Sequence, residues 1–207
     1  MGRRRKHDDR TAAALLDAAE ELLQEHGIDG LSVRAVADRV ETTTRAVYTV
    51  FGSKTGLLGA LGERAYEILG AGVASIPETG DPAADLVDAV VLVFRRFAVD
   101  HPALFRLAVQ QVATPLEVIR QWDTPRQAAW GLFERRVARL GVTSLSEAAF
   151  TVNAMCEGLA GVELRCRLDP VAGERLWREA MAALVAGMTR HDSDRLQSTP
   201  AIGARPA

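Results

Sequence analysis

The stretch ETTTRAVYTVFGSKTGLL, residues 41–58, carries the reading on which the fold turns. Three threonines run into Arg45, Tyr48 and Phe51 follow, and Ser53-Lys54 leads into a leucine pair. The segment has few apolar residues for a core element. It has no cluster of carboxylates, histidines or cysteines for catalysis either. Threonine and serine are favoured helix N-caps, because their side-chain oxygens accept from orphan backbone N–H groups. A short helix therefore starts at Thr43 or Thr44 and runs to Val50, and Ser53 caps a longer one that begins at Lys54.

Upstream, Ser32 caps a short helix over residues 33–40, with Val33, Val36, Ala37 and Val40 facing inward. Before it, residues 9–26 show helical spacing: Leu15, Ala18, Ala19, Leu22 and Leu23 form one stripe, with Glu20, Glu21 and Glu25 opposite. Gly27 stops that helix. Two short helices joined by a tight turn, behind an amphipathic one, make a helix-turn-helix. In such a motif the second helix enters the DNA major groove and exposes short polar side chains to base edges. Thr43, Thr44, Arg45 and Thr49 fit that role, since threonine can hydrogen-bond a base or touch a thymine methyl and arginine can grip guanine twice. Tyr48 and Lys54 suit phosphate oxygens, and Ser32 and Arg34 complete the DNA-contacting set. Val47 points into the module, and Phe51 wedges between helices. A plainer reading of residues 42–44, a capped turn and nothing more, stays open.

Downstream, helical spacing continues and no alternating strand pattern interrupts it. The helix from Lys54 carries Leu57, Leu58, Leu61, Ala65, Ile68 and Leu69, although Gly56, Gly59, Gly62 and Gly70 weaken it by up to about 1 kcal/mol each at interior positions. SIPETGDP breaks the chain before Asp81-Pro82 restarts it. Further helices begin at Pro102, Thr124-Pro125, Leu145 and Asp169-Pro170. The last pair, 145–167 and 169–189, is the most regular, and in the second Trp177, Ala180, Met181, Leu184, Val185 and Met188 form a stripe. The fold class is all-α. The expected organisation is a basic arm at 1–10, a helix-turn-helix domain at 11–52, a connecting helix at 53–76, a helical sensing and dimerisation domain at 81–190, and a disordered tail at 191–207.

Net charge is −2, so a nucleic-acid site has to be a local basic patch rather than a bulk property. Two cysteines, Cys156 and Cys166, are too few for a disulfide scaffold or a four-ligand zinc site. His7, His26, His101 and His191 are scattered, and neither a Gly-rich phosphate loop nor a GxSxG elbow occurs. These features argue against an enzyme, a metal or a cofactor. No apolar run reaches the roughly 20 residues of a membrane helix, and the first residues lack a signal-peptide core, so the expected setting is the cytoplasm without membrane contact.

The run LLDAAEELLQEHGIDGLSVRAVADRV…TTTRAVYTVFGSKTGLL resembles the DNA-binding domain of TetR-family transcriptional repressors. In that family a recognition helix finishes in Tyr-x-x-Phe, followed by an SK-type helix start; Tyr48, Phe51, Ser53 and Lys54 fall on the pattern in order, within a match over residues 11–61. The resemblance implies an all-helical homodimer, a C-terminal ligand-sensing domain and release of a DNA operator when a small-molecule effector binds. Where the family usually has a turn glycine this chain has Glu41, a residue less suited to a left-handed backbone and repelled by phosphate. HPALFRLAV and NAMCEGLAGVELRCRL resemble one subgroup more weakly, but Glu157-Gly158 stands where that subgroup often has His-Gly, so no role of that histidine carries over.

On this reading the homodimer forms through the last two helices, where Gly158 and Gly161 permit close approach. Phe94, Phe97, Phe105, Trp122, Trp130, Phe133 and Met155 are candidates for the wall of an effector pocket, with ordinary core packing as the alternative for each aromatic. Asn153 and Glu157 are candidate polar anchors, unless Glu157 pairs with an arginine such as Arg136. The rival to a repressor is a DNA-binding activator or architectural protein that senses nothing.

Overall fold

The structure is a computed structural model that describes residues 2–198, with side chains described for residues 10–190. Its elements are helices α1 (Gly2–Gly30), α2 (Val33–Arg39), α3 (Thr44–Phe51), α4 (Lys54–Ser75), α5 (Pro82–Ala89), α6 (Arg96–Asp100), α7 (Pro102–Leu104), α8 (Leu116–Ile119), α9 (Asp123–Ala138), α10 (Leu145–Cys166) and α11 (Pro170–Ser198). Two wider π-helical stretches, Val90–Arg95 and Phe105–Val109, and a tight 3-10 turn, Arg120–Trp122, join them. Among the described residues there is no strand, as the all-α expectation requires.

Most boundaries fall within a residue or two of the sequence reading. Three differ in an informative way. The first helix extends back through the basic run to Gly2 and the last extends on through Ser198, because straight-chain arginines and lysine favour helix and neither extension meets a proline. The rest of the expected tail, residues 199–207, lies outside the described residues. Within α1 the backbone breaks at Gly27, φ 69° and ψ −174°, so the expected stop is present as a kink. The helix opened by Pro102, whose apolar spacing Phe105, Ala108, Val109 and Val112 predicts a longer run, ends at Val109, before Gln111 (φ 53°) and Ala113 (φ 54°) turn left-handed.

The chain forms two compact units, one of Met1–Ala71 with Arg96–Trp130 and one of Gly72–Arg95 with Gly131–Ala207. This grouping differs from the linear division at residues 76–81, and its cause is visible inside the first unit. Leu15, Ala19, Leu31, Val36, Val47, Leu57 and Leu61 are buried there, and so are Leu104, Phe105, Leu107, Val118 and Trp122 from the later segment. The Trp122 indole donates to the carbonyl oxygen of Gly59 at 2.9 Å, and a Cβ at Gly62 would overlap the same ring. Tyr66 donates its hydroxyl to the Ala108 carbonyl at 2.7 Å, and His101 lies 2.6 Å from Glu20 of α1. Of the glycines that weaken α4 as a helix, Gly62 is thus the one that admits the Trp122 ring, while Gly59 accepts its N–H.

In the second unit Leu86, Val90, Val93, Val137, Ala149, Val152, Cys156, Ala160, Trp177, Met181 and Val185 are buried. Its polar centre is the pair Arg95–Glu163, with Arg95 Nη2 donating at 2.7 Å to Glu163 Oε1 and at 2.8 Å to the Pro170 carbonyl. Trp177 donates its indole N–H to the other oxygen of Glu163 at 2.7 Å, so both carboxylate oxygens are satisfied. Arg136 donates to the carbonyls of Val73, Ile76 and Pro77, which satisfies orphan acceptors at the end of α4. Burial pushes the Cys156 thiol well above its usual range, so it stays protonated and behaves as a small apolar side chain.

Candidate nucleic-acid interface

Helices α2 and α3 are each started by the side chain that the sequence nominates. Ser32 Oγ accepts from Ala35 N at 3.1 Å, and Thr43 Oγ1 accepts from Ala46 N at 3.2 Å. Between them Glu41 takes φ 53°, and the Thr42 N–H reaches back to the Ala37 carbonyl at 2.9 Å. The turn therefore keeps the left-handed geometry that a glycine would take most easily, here built on a glutamate. Gly52 closes α3 at φ 72°, and Ser53 Oγ accepts from Gly56 N at 3.0 Å to open α4.

This scaffold fixes which side of α3 faces outward. Val47 is fully buried, anchoring the helix from beneath. Thr43, Thr44, Arg45, Tyr48 and Thr49 are all exposed, Tyr48 at 53%. Ala46 and Phe51 are half-buried, in keeping with a packing role for Phe51. The Thr49 hydroxyl donates to the Arg45 carbonyl at 2.8 Å. Val50, 39% exposed, also reaches the surface at the end of α3; it was not among the sequence candidates, and a valine carries no polar signal to mark it.

The remaining candidates lie around this face with distinct engagements. Ser32 is exposed and occupied as a cap. Arg34 lies 3.8 Å from Asp38, one helical turn on, with its side chain 87% exposed. Lys54 is half-buried and donates to the Ile28 carbonyl at 2.9 Å, so it ties the start of α4 to the last turn of α1, just past the Gly27 kink. Sequence reasoning did not single out Arg39, which bridges Glu21 at 3.0 Å and Glu25 at 2.8 Å. Its signal was available: two carboxylates four apart on α1 and an arginine ending α2. The Arg39 hydrogen bond holds the Glu25 carboxyl below its usual range. The brace is exposed, so its contribution to stability is small and weakens with salt.

The candidate effector residues are divided between the two units. Phe97, Phe105 and Trp122 are buried in the first, and Trp130 is half-buried there. In the second, Phe94 packs against Trp177 with tilted rings whose centroids are 6.2 Å apart, and Phe133 is half-buried. Asn153 donates to Glu157 at 2.7 Å, whereas Arg136 is engaged with carbonyls, so the suggested Glu157–Arg136 pairing is replaced by this amide contact. Met155 sits at 36% exposure on the outer side of α10. A groove of about 250 Å³ in the second unit is lined instead by Ala83, Ala84, Val87, Asp88, Arg178, Ala182 and Val185. That volume falls below the usual range of small-molecule sites. Among the described residues no cluster of three or more His, Cys, Asp or Glu could hold a metal, and no helix is long and apolar enough to cross a membrane.

A capped two-helix turn that presents threonines and an arginine outward, on an all-helical scaffold, defines a helix-turn-helix DNA-binding protein. Residues 15–61 match the model of bacterial regulatory proteins of the tetR family. No curated protein matches the chain. Among solved structures, a Rhodococcus sp. RHA1 protein of unknown function is 24% identical, with TM-score 0.70 over 86% of this chain and 95% of that one. A TetR-family transcriptional regulator from Streptomyces coelicolor is 22% identical, with TM-score 0.70 over 91% and 86%. PfmR, a TetR-family transcriptional regulator from Thermus thermophilus, is 20% identical, with TM-score 0.66 over 83% and 97%. At these identities the structures show the fold, and the family match is to the head at residues 15–61. Residues 15–61 thus carry the DNA-binding domain of the tetR family, and the chain shares the all-helical fold of solved TetR-family regulators.

Proposed function

We propose that this protein is a cytoplasmic, ligand-responsive repressor that binds a palindromic operator as a homodimer and is released by an apolar or aromatic small molecule. The observation that carries the reading is α3 itself: Val47 is buried beneath it, while Thr43, Thr44, Arg45 and Thr49 are exposed together. Nothing in packing demands that a short helix and its cap expose three threonines and an arginine, whereas base edges in a major groove do.

Support for the dimer comes from α10 and α11. The predicted stripe on α11 faces its own unit, with Trp177 and Met181 fully buried and Val185 nearly so. The side of α10 bearing Thr151, Met155, Gly158 and Val162 is exposed, and so is Leu176 on α11. A Cβ at Gly158 would meet nothing within 4 Å, so another helix could approach closely there. A dimer through the last two helices would use these exposed faces. Support for the effector class comes from the aromatic content of residues 94–133 and from the half-buried Asn153–Glu157 pair.

Selection of bound fragments from random duplex DNA with the full chain tests the reading, followed by gel-shift titration of the winning fragment against a panel of apolar and aromatic compounds. The expected result is a palindrome whose half-sites lie roughly 34–36 Å apart, with at least one compound weakening the complex. Recovery of no common sequence would refute operator binding. A palindrome whose affinity no compound alters would favour a DNA-binding protein that senses nothing.

A further inference from the structure

The three threonines of the α3 face are not chemically equivalent. Thr43 Oγ1 accepts the Ala46 N–H at 3.2 Å, so its own hydroxyl proton remains available to donate. Thr49 is the reverse. It lies one turn beyond Arg45, and its hydroxyl donates back to the Arg45 carbonyl at 2.8 Å. A hydroxyl carries one proton, and here it is spent. Thr49 therefore has no donor for guanine O6 or N7, adenine N7 or thymine O4. The bond also holds the oxygen against the helix backbone. The methyl is then the group of this exposed side chain that the back-bond leaves unengaged.

On the DNA-binding reading proposed above, we infer that Thr49 recognises the operator through its methyl group, by apolar contact with a thymine C5-methyl beside the guanine gripped by Arg45. One helical turn advances roughly 5.4 Å, and bases along a strand are spaced roughly 3.4 Å apart, so the thymine lies within two base steps of that guanine. The back-bond sets the methyl in place before DNA arrives, so no rotamer freedom is lost on binding.

The test uses full-length protein and the fragment recovered from random duplex DNA. Thr49→Val keeps the methyl and removes the oxygen, Thr49→Ser does the opposite, and Thr49→Ala removes both. Valine and threonine have similar helix propensities, so α3 should fold in each case. Thr49→Val should bind within about twofold of the parent, whereas Thr49→Ser and Thr49→Ala should each weaken by about fourfold per half-site, the factor carried by one buried methyl-sized group. Replacing one thymine by deoxyuridine, which lacks the methyl, should weaken the parent equally and leave Thr49→Ala unchanged. The inference is overturned, with DNA binding intact, if Thr49→Val is as weak as Thr49→Ala, if Thr49→Ser binds like the parent, or if deoxyuridine has no effect at any thymine. Failure to enrich any fragment would remove the DNA-binding reading and this inference together.

Discussion

Glu41 shows how a single residue can keep a motif while breaking its rule. A glutamate at φ 53° occupies a backbone region that glycine takes without steric cost. Glu41→Gly should therefore relieve strain and stabilise the protein, by about 1 kcal/mol after the entropy that glycine adds to the unfolded chain. It should also strengthen DNA binding, because a carboxylate beside the phosphates is removed. Thermal unfolding and gel-shift titration check the two effects; a lower melting temperature would show that the turn is not strained at Glu41. The departure from the family pattern was legible in the sequence, and so was its place in the turn. The back-bond of Thr49 was not, because a threonine on an exposed helix face can turn its hydroxyl outward or inward, and composition does not choose between them.

Element by element, helix starts were the most legible feature, because Ser32, Thr43, Asp81 and their neighbours announce themselves by side-chain chemistry. What a helix packs against was less so. Gly59 and Gly62 looked like weak points of α4, whereas they are where Trp122 docks. Gly62→Ala gains about 1 kcal/mol of helix propensity but drives a Cβ into the indole, so the overpacking cost of about 1–3 kcal/mol should win. Trp122→Ala should cost about 3–5 kcal/mol by cavity formation. In the double variant the penalty of Gly62→Ala should vanish, a coupling readable by denaturant titration. At the start of α5, Asp85 accepts from the Thr79 hydroxyl at 2.6 Å, the Thr79 N–H at 2.7 Å and Arg139 at 2.6 Å. The Thr79 hydroxyl first, then Arg139, holds its carboxyl down to about 2 from 3.8. A depressed acid stabilises the fold above its unfolded value, and that stabilisation fades as pH falls through about 2. Asp85→Asn should thus be less stable than the parent at neutral pH, with the gap narrowing from about pH 4 downward. A gap of constant size over that range would contradict the assignment.

For the whole molecule, the all-helical class and the DNA-binding head could be read from periodicity and caps, but the grouping of residues 96–130 with the head could not. That grouping depends on long-range burial of Leu104, Phe105 and Trp122, residues whose apolar character fits a core or a pocket equally well. The same ambiguity holds for the α11 stripe, in which Trp177 and Met181 are interior. Val162→Asp and Leu176→Asp change exposed positions, so they should leave the monomer folded yet abolish dimers and weaken operator binding. Sedimentation with unaltered dimers in both variants would move the seam elsewhere. The claim on which the rest depends is that α3 enters a major groove with Arg45 on a guanine. Dimethyl sulfate attacks guanine N7 in that groove, so its protection on the selected fragment reads the contact directly. The parent should protect one guanine in each half-site, and Arg45→Ala should expose it again while losing about 1–3 kcal/mol of discrimination at that base pair. Protection that persists in Arg45→Ala, or no protection by the parent at all, would contradict the account.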